Sequence, residues 1–395
     1  MSNVFLLRKL LLPELYVDRS RMDRMGSRLE LHVRKESPFE VCPRCATRTK
    51  SIYDHRVVRV KDAPLRGHVV MMHITKRRFS CKPCGRPFTE PVGGIRKGHR
   101  STERYARELL KACEQYVDLS RVRDAFQCAP TSQYRMLYRH LDLQERMRRY
   151  PWPSVIGIDE HFFRRHPEHG GRQFVTMCVD HKNRRVKEVV EGKTVAELER
   201  ALSHIEGRER VQYVTMDLSE TYRAFVRSFF PNARIVADKF HVLRLLSPAL
   251  NRRRKELVQD AHHRTVRRML LTTRERLRPE ERLALRHLLL AYPELRELYD
   301  VKEALHSFYR IKGRARAGRA FINLVDKLAS SALPELQTLR KTLLRWQRAI
   351  LEYFLCGLTN GRTEGFNLKA KLVKRRAYGY RSFRNYRLRL LNACA

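Results

Sequence analysis

Apolar and polar positions alternate early in the chain, in Val57-Val58-Arg59-Val60 and again from Val69 to Phe79, with Ala63-Pro64-Leu65-Arg66-Gly67 as turn chemistry between the two runs. This pattern predicts a β-hairpin. At Ser101 the period lengthens, and Tyr105, Leu109, Ala112 and Tyr116 recur at three and four residues behind a Ser101-Thr102 cap. Two further helices are predicted over Leu119–Phe126 and Thr131–Leu141. Strands follow over Val155–Phe163, Gln173–Asp180 and Val186–Val190. A helix from Thr194, a strand over Val211–Met216, a helix over Ser219–Phe230 and a strand over Arg234–Ala237 complete this stretch. Three closely connected strands, then two strands each behind a helix, predict a mixed sheet. From Lys239 to Leu358 the pattern is almost wholly helical, with Pro279, Pro293 and Pro334 where first turns would begin. The expected class is a multidomain α+β protein with segments 1–95, 96–150, 151–240, 241–358 and 359–395.

Charge changes this picture from architecture to partner. The 395 residues carry 83 Lys and Arg against 42 Asp and Glu, a formal net charge of +41. An excess of that size repels itself in a compact fold unless a polyanion shares the field, which makes nucleic acid the leading partner. Residues 151–240 are nearly neutral, with 15 basic and 13 acidic side chains, so the surplus lies around them. Residues 361–391 hold ten Lys and Arg, among them Lys371, Lys374 and Arg375, against the single acid Glu364. Tyr378, Tyr380, Phe383 and Tyr386 alternate with these cations, offering stacking surfaces beside phosphate contacts, although a solvated basic face has the same appearance. No run of 18 apolar residues exists, so neither secretion nor a membrane span is expected, and a cytoplasmic, nucleoid-associated protein is.

Two Cys-x-x-Cys pairs, Cys42/Cys45 and Cys81/Cys84, stand 35 residues apart on either side of the predicted hairpin. One such pair could be a redox site, but two joined by a β-ribbon suit a structural zinc ion held by four thiolates, a zinc ribbon. The other cysteines lack this spacing. The helix over Leu119–Phe126, the turn Gln127-Cys128-Ala129-Pro130 and the helix from Thr131 have the dimensions of a helix-turn-helix. Gln133, Arg135 and Arg139 would then face a DNA groove. A packed helical hairpin is the alternative.

Asp159 lies within an apolar strand, Ile156-Gly157-Ile158-Asp159-Glu160, where burying a charge is costly unless a cation compensates. Asp217 ends a second strand, and also sits where it could simply cap the next helix. If the two strands are neighbours, both acids point to one site suited to a hard cation, Mg2+ or Mn2+.

The order of zinc knuckles, paired helices, two strands each bearing an aspartate, a long helical stretch and a late glutamate in Asn360-Gly361-Arg362-Thr363-Glu364-Gly365-Phe366-Asn367 resembles the DDE transposases of bacterial insertion sequences, specifically the ISL3 family. The resemblance covers essentially the whole chain. It implies a ribonuclease-H-like catalytic core interrupted by an all-α insertion, with Asp159, Asp217 and Glu364 as a catalytic triad that binds two metal ions. It also implies a basic partner at Lys371, and an Asp-x-x-His element at Asp238 and His241 that either assists catalysis or packs beneath the insertion. Double-stranded DNA, in the form of terminal inverted repeats and target, would be the partner, with a homodimer or larger synaptic assembly. Trp346 is expected in the core rather than on an extruded base. A non-catalytic DNA-binding regulator derived from such an enzyme is the rival reading, and an RNA-binding protein a more distant one.

Overall fold

The computed structural model describes residues 12–22, 27–115, 118–165, 170–258 and 263–395. The chain divides into two compact units, residues 1–147 with 375–378, and residues 148–374 with 379–395.

The first unit is built on a sheet in the order β1-β2-β6-β5, with β7 (Arg86–Thr89) also paired to β6. Strands β1 (Leu15–Met22) and β2 (Arg28–Lys35) are antiparallel, β2 runs parallel to β6 (His68–Cys81), and β5 (Ile52–Leu65) is antiparallel to β6. Two short strands, β3 (Glu40–Val41) and β4 (Arg48–Thr49), pair beside the first cysteine knuckle. Alternation buries Val33, Val60, Met72 and Ile74 on one face. The hairpin turn is shorter than the sequence suggests. Ala63 to Leu65 remain in β5 beyond a bulge, and only Arg66 and Gly67, both with positive φ, reverse the chain as in a two-residue primed turn.

Helix α1 (Glu103–Gln115) starts behind Thr102, whose hydroxyl accepts from Tyr105 N at 3.0 Å, so the second of the two expected cap residues is the cap. It is tied to β5 through buried Asp62, which accepts from Thr102 Oγ1 at 2.7 Å and Arg104 Nε at 2.6 Å. Tyr116 lies outside the described residues. Helix α2 (Leu119–Phe126) is capped by Asp118 and ends in left-handed Gln127; α3 (Pro130–Met147) begins one residue before, and ends six after, the span expected from the pattern.

The second unit contains the expected mixed sheet, in the order β10-β9-β8-β11-β12. Strands β8 (Val155–Arg165), β9 (Arg172–Asp180) and β10 (Arg185–Glu191) are antiparallel neighbours, while β11 (Tyr213–Met216) and β12 (Arg234–Ala237) run parallel to β8. Helix α4 (Val195–Leu202) opens with a Thr194–Glu197 capping box, and α5 (Glu220–Phe229) is capped by Ser219, which is why the predicted helices start one residue early. The expected strand from Val211 starts at Tyr213, because a single turn at Arg208–Arg210 precedes it.

The helical stretch comprises α6 (Lys239–Leu243), α7 (Ser247–Leu257), α8 (His263–Leu271), α9 (Pro279–Ala291), α10 (Pro293–Phe308), α11 (Arg314–Ala329) and α12 (Pro334–Cys356). All three prolines open helices, where the missing N–H costs nothing. One continuous apolar core runs from Ile156, Ile158 and Met216 through Leu298, Phe321 and Trp346, so these helices share the core of one sheet face. Trp346 is buried there, beneath the Arg223 guanidinium. The other face carries α13 (Gly361–Arg376) and α14 (Phe383–Ala393), through Ala370, Tyr386 and Leu390 packed on Phe163, Met177 and Val189.

Candidate functional site

The alternation of β8 puts Ile156 and Ile158 into the apolar core and turns Gly157, Asp159, His161 and Phe163 towards α13 and α14. Parallel pairing matches Thr215 with Gly157 and Met216 with Ala237. Asp159 and Asp217 therefore stand two residues beyond the same rung, and Asp238 follows at the end of the third strand. Asp217 and Asp238 thus sit at the carboxyl ends of two adjacent parallel strands, where ligands bind in such sheets, level with Asp159 in the middle of the longer β8.

Helix α13 brings the glutamate to them. Its docking face is a polar stripe rather than an apolar one. Asn360, Thr363 and Asn367 are buried at helical spacing and continue into Ala370. Asn360 Oδ1 accepts from Thr215 Oγ1 at 2.9 Å, its Nδ2 donates to Ile158 O at 3.3 Å, and its backbone N donates to Asp238 Oδ1 at 3.2 Å. Gly157 permits this approach, since a Cβ there would lie 2.1 Å from Thr363 Oγ1 and 2.4 Å from His181 Nε2.

A hydrogen-bond chain fixes Asp159. Asn367 Nδ2 donates to Asp159 Oδ2 at 2.6 Å, and Glu160 N donates to Oδ1 at 2.8 Å. Behind Asn367, His161 sits 3.1 Å from its Oδ1 and 2.5 Å from the Tyr386 hydroxyl. Burial pulls His161 down to about 4, so the ring is neutral, donating to Asn367 and accepting from Tyr386.

The carboxylates crowd one another. Asp159 is pushed up to about 6, first by burial and then by Asp217 and Glu364. Asp217 and Glu364 are also raised, in each case first by burial. His241 is raised by its hydrogen bond to Asp238, 2.8 Å away. Asp217 Oδ1 is buried without a hydrogen-bond partner among the described residues. An orphaned oxygen among mutually repelling acids fits a hard, oxygen-seeking cation. The ligand atoms that come within 4.8 Å of one another belong to Asp238, His241 and Glu364, with Asp159 and Asp217 outside that group. Glu364 is drawn towards Asp238 because the hydrogen bond from Asn360 anchors the start of its helix there.

In the first unit the Sγ atoms of Cys42, Cys45, Cys81 and Cys84 all lie within 4.8 Å, with Cys42–Cys84 at 3.9 Å and Cys45–Cys81 at 3.5 Å. The edge of a zinc–thiolate tetrahedron is about 3.8 Å for Zn–S bonds near 2.3 Å, so the four sulfurs fit the ion. Both knuckles close with a left-handed residue, Ala46 and Gly85, whose N–H returns to the carbonyl of Cys42 and Cys81. The Thr47 hydroxyl and backbone pull Cys45 down to about 6, while the neighbouring thiol of Cys45 pushes Cys84 up to about 12.

Several expected nucleic-acid contacts are relocated. Gln133 is a correction: it is buried, donating to Leu119 O at 2.9 Å, because it lies on the face of α3 that packs against α2. Arg135 and Arg139 are exposed on the other face. Lys371 and Arg375 are exposed, whereas the Lys374 ammonium donates to Phe162 O at 2.7 Å and Phe163 O at 3.1 Å. Of the interleaved aromatics, Tyr386, Phe383 and Tyr380 pack inward and Tyr378 is fully open.

Residues 156–390 match the ISL3 DDE family model, described as transposase, and residues 38–84 match the zinc finger of the transposases of IS204/IS1001/IS1096/IS1165. The transposase for insertion sequence element IS1001 of Bordetella parapertussis is 26% identical over 375 residues, 90% of this chain and 89% of that protein. Transposases for insertion sequence element IS1557 from two strains of Mycobacterium tuberculosis are 26% identical over 279 residues, covering 61% of this chain and 60% of theirs. No helix among the described residues is long and apolar enough to cross a membrane.

Proposed function

The chain belongs to the ISL3 family of transposases, and from that premise we propose that it binds the terminal inverted repeats of its own insertion sequence, cleaves phosphodiester bonds there and joins the freed 3′-hydroxyls to target DNA. The observation that carries this reading is the convergence of Asp159 on β8 with Asp217 and Asp238 at the ends of the two neighbouring parallel strands, with Glu364 delivered beside them by α13.

Asp159, Asp217 and Glu364 would hold Mg2+ or Mn2+, with Asp238 and His241 adding a carboxylate and an imidazole to the same place. Two such ions, when bound, supply activation of the attacking oxygen and stabilisation of the leaving one. The protein's own part is to fix the acids. Asn367 and Glu160 N hold Asp159 in one rotamer, and Asn360 and Thr363 seat the helix turn that bears Glu364. The strand order, with three antiparallel strands followed by two parallel strands each behind a helix, supports a ribonuclease-H-like core interrupted by the helices of residues 241–358.

Helices α2 and α3 act as the helix-turn-helix, with Arg135 and Arg139 reaching base edges or phosphates, and Lys371 and Arg375 adding phosphate contacts. Synapsis of two ends requires at least a homodimer. The test is incubation of the purified protein with a supercoiled plasmid carrying the element's ends and Mg2+ or Mn2+. Breaks mapping to the ends are expected, and their absence with both metals would refute cleavage by this chain.

A further inference from the structure

Beside the acid cluster, α6, α7, α8, the turn at Arg274–Arg276 and α10 enclose a cleft of about 940 Å3. Its walls carry Lys239, Arg244, Arg267, Arg276 and Arg310 against one acid, Glu275. Arg310 is paired with Glu275, and buried Lys302 at the floor donates to Leu270 O and Thr272 O, so those cations are already engaged. Arg244, Arg267 and Arg276 are exposed and meet no carboxylate in an ion pair among the described residues. Of these, Arg244 faces the acid cluster, and Arg267 and Arg276 leave a concave surface with positive charge that favours an entering anion.

The cleft's lining includes residues next to the candidate catalytic centre. Lys239 follows Asp238 directly, and Arg244 lies close enough to act on Glu364. Phe240 bridges the two. It is exposed, its ring stands edge-on to His241 at 5.9 Å, and the Arg244 guanidinium lies 4.5 Å from its centroid. A duplex offers a protein phosphates and groove edges, with its base faces stacked away. An aromatic face among cations in a concave site suits a strand whose bases are unstacked.

We propose that this cleft binds a single DNA strand leaving the acid cluster, its phosphates on Arg244, Arg267 and Arg276 and a base on Phe240. The inference deepens the transposase reading and rests on it for the identity of the strand as DNA at a cut or melted end. It requires no sequence recognition, because the cleft offers stacking and charge alone.

The test uses the full chain without added divalent metal and two fluorescent probes, a thymidine homopolymer of about ten nucleotides and a mixed-sequence duplex of the same length. Binding is read by anisotropy across a salt series. Arg267→Ala with Arg276→Ala should lower the single-strand salt slope by about 1.4 while leaving the duplex slope unchanged. Arg267→Lys with Arg276→Lys should retain it. Phe240→Ala should weaken single-strand binding about tenfold without affecting duplex binding. All these side chains are exposed, and thermal melting checks that the variants remain folded. Equal losses on both probes, or no loss on either, would overturn the cleft assignment. Metal-dependent nicking of end-containing plasmid by the wild-type chain is measured alongside. Failure there overturns the transposase reading and leaves the binding result to stand alone, whereas nicking with a cleft-indifferent single-strand affinity overturns only the cleft.

Discussion

Replacing Gly157 by alanine places a methyl group where α13 meets β8. The new Cβ would lie 2.1 Å from Thr363 Oγ1, 2.4 Å from His181 Nε2 and 2.8 Å from Asn360 Oδ1, all on buried side chains. Overpacking of this kind costs about 1–3 kcal/mol. Retreat of the helix would also weaken the hydrogen bonds from Thr215 to Asn360, from Asn360 to Ile158 O and between His181 and Thr363, at about 1 kcal/mol each. The expected loss is about 4–6 kcal/mol in urea unfolding followed by circular dichroism. Glu364 adjoins Thr363, so cleavage of end DNA by the folded fraction should fall about 100-fold from misplacement alone. Gly365→Ala is the control: it lies in the same helix with nothing within 4 Å of its Cβ, and should stabilise by about 0.5–1 kcal/mol. If Gly157→Ala unfolded within about 1 kcal/mol of wild type and cleaved normally, the close docking of α13 on β8 would be wrong.

Other expectations follow from the same geometry. Zinc analysis of purified protein should give about one equivalent, and Cys81→Ser should lose it and unfold the first unit, seen as new proteolytic cleavage within residues 27–115. Asp159 titrates near 6 in the metal-free fold against 3.8 ordinarily, so the native state binds a proton there that the unfolded chain releases. Asp159 should therefore contribute a fall in stability of about 3 kcal/mol as pH rises from about 4 to 6, with the raised Asp217, Glu364 and His241 adding to the decline in the same direction, and Asp159→Asn should make the slope shallower. A slope of opposite sign would place Asp159 in a solvated site. Arg135→Ala with Arg139→Ala should reduce the preference for the element's ends over random duplex in competition gel shifts, and an unchanged preference would move recognition off α3.

Much of this fold is legible in the sequence, because the deciding signals are local. Alternation and caps located the sheet of the second unit to within two residues, and three prolines marked three helix starts. The cysteine pairs announced their cluster by spacing alone. What escaped depended on which way a side chain turns. Gln133 has the character of a groove contact, yet helical phase carries it inward to Leu119 O. Tyr386 and Phe383 alternate with arginines, yet they pack against Phe163. The polar stripe Asn360, Thr363 and Asn367 was readable as a repeat at three and four residues, but its polarity disguised a buried face. Grouping Glu364 with Asp238 and His241 required the parallel register of β11 and β12, which composition does not specify.

The central claim is that Asp159, Asp217 and Glu364 act as one metal-binding, DNA-cutting unit. Glu364→Gln keeps shape and hydrogen-bonding capacity while removing the charge, so end binding and cleavage can be measured on the same preparation. Binding to an end-containing duplex should be retained or slightly tightened, since a negative charge leaves a basic region, and Mg2+-dependent cleavage should fall by about a thousandfold or more. Near-normal cleavage by Glu364→Gln would contradict the account.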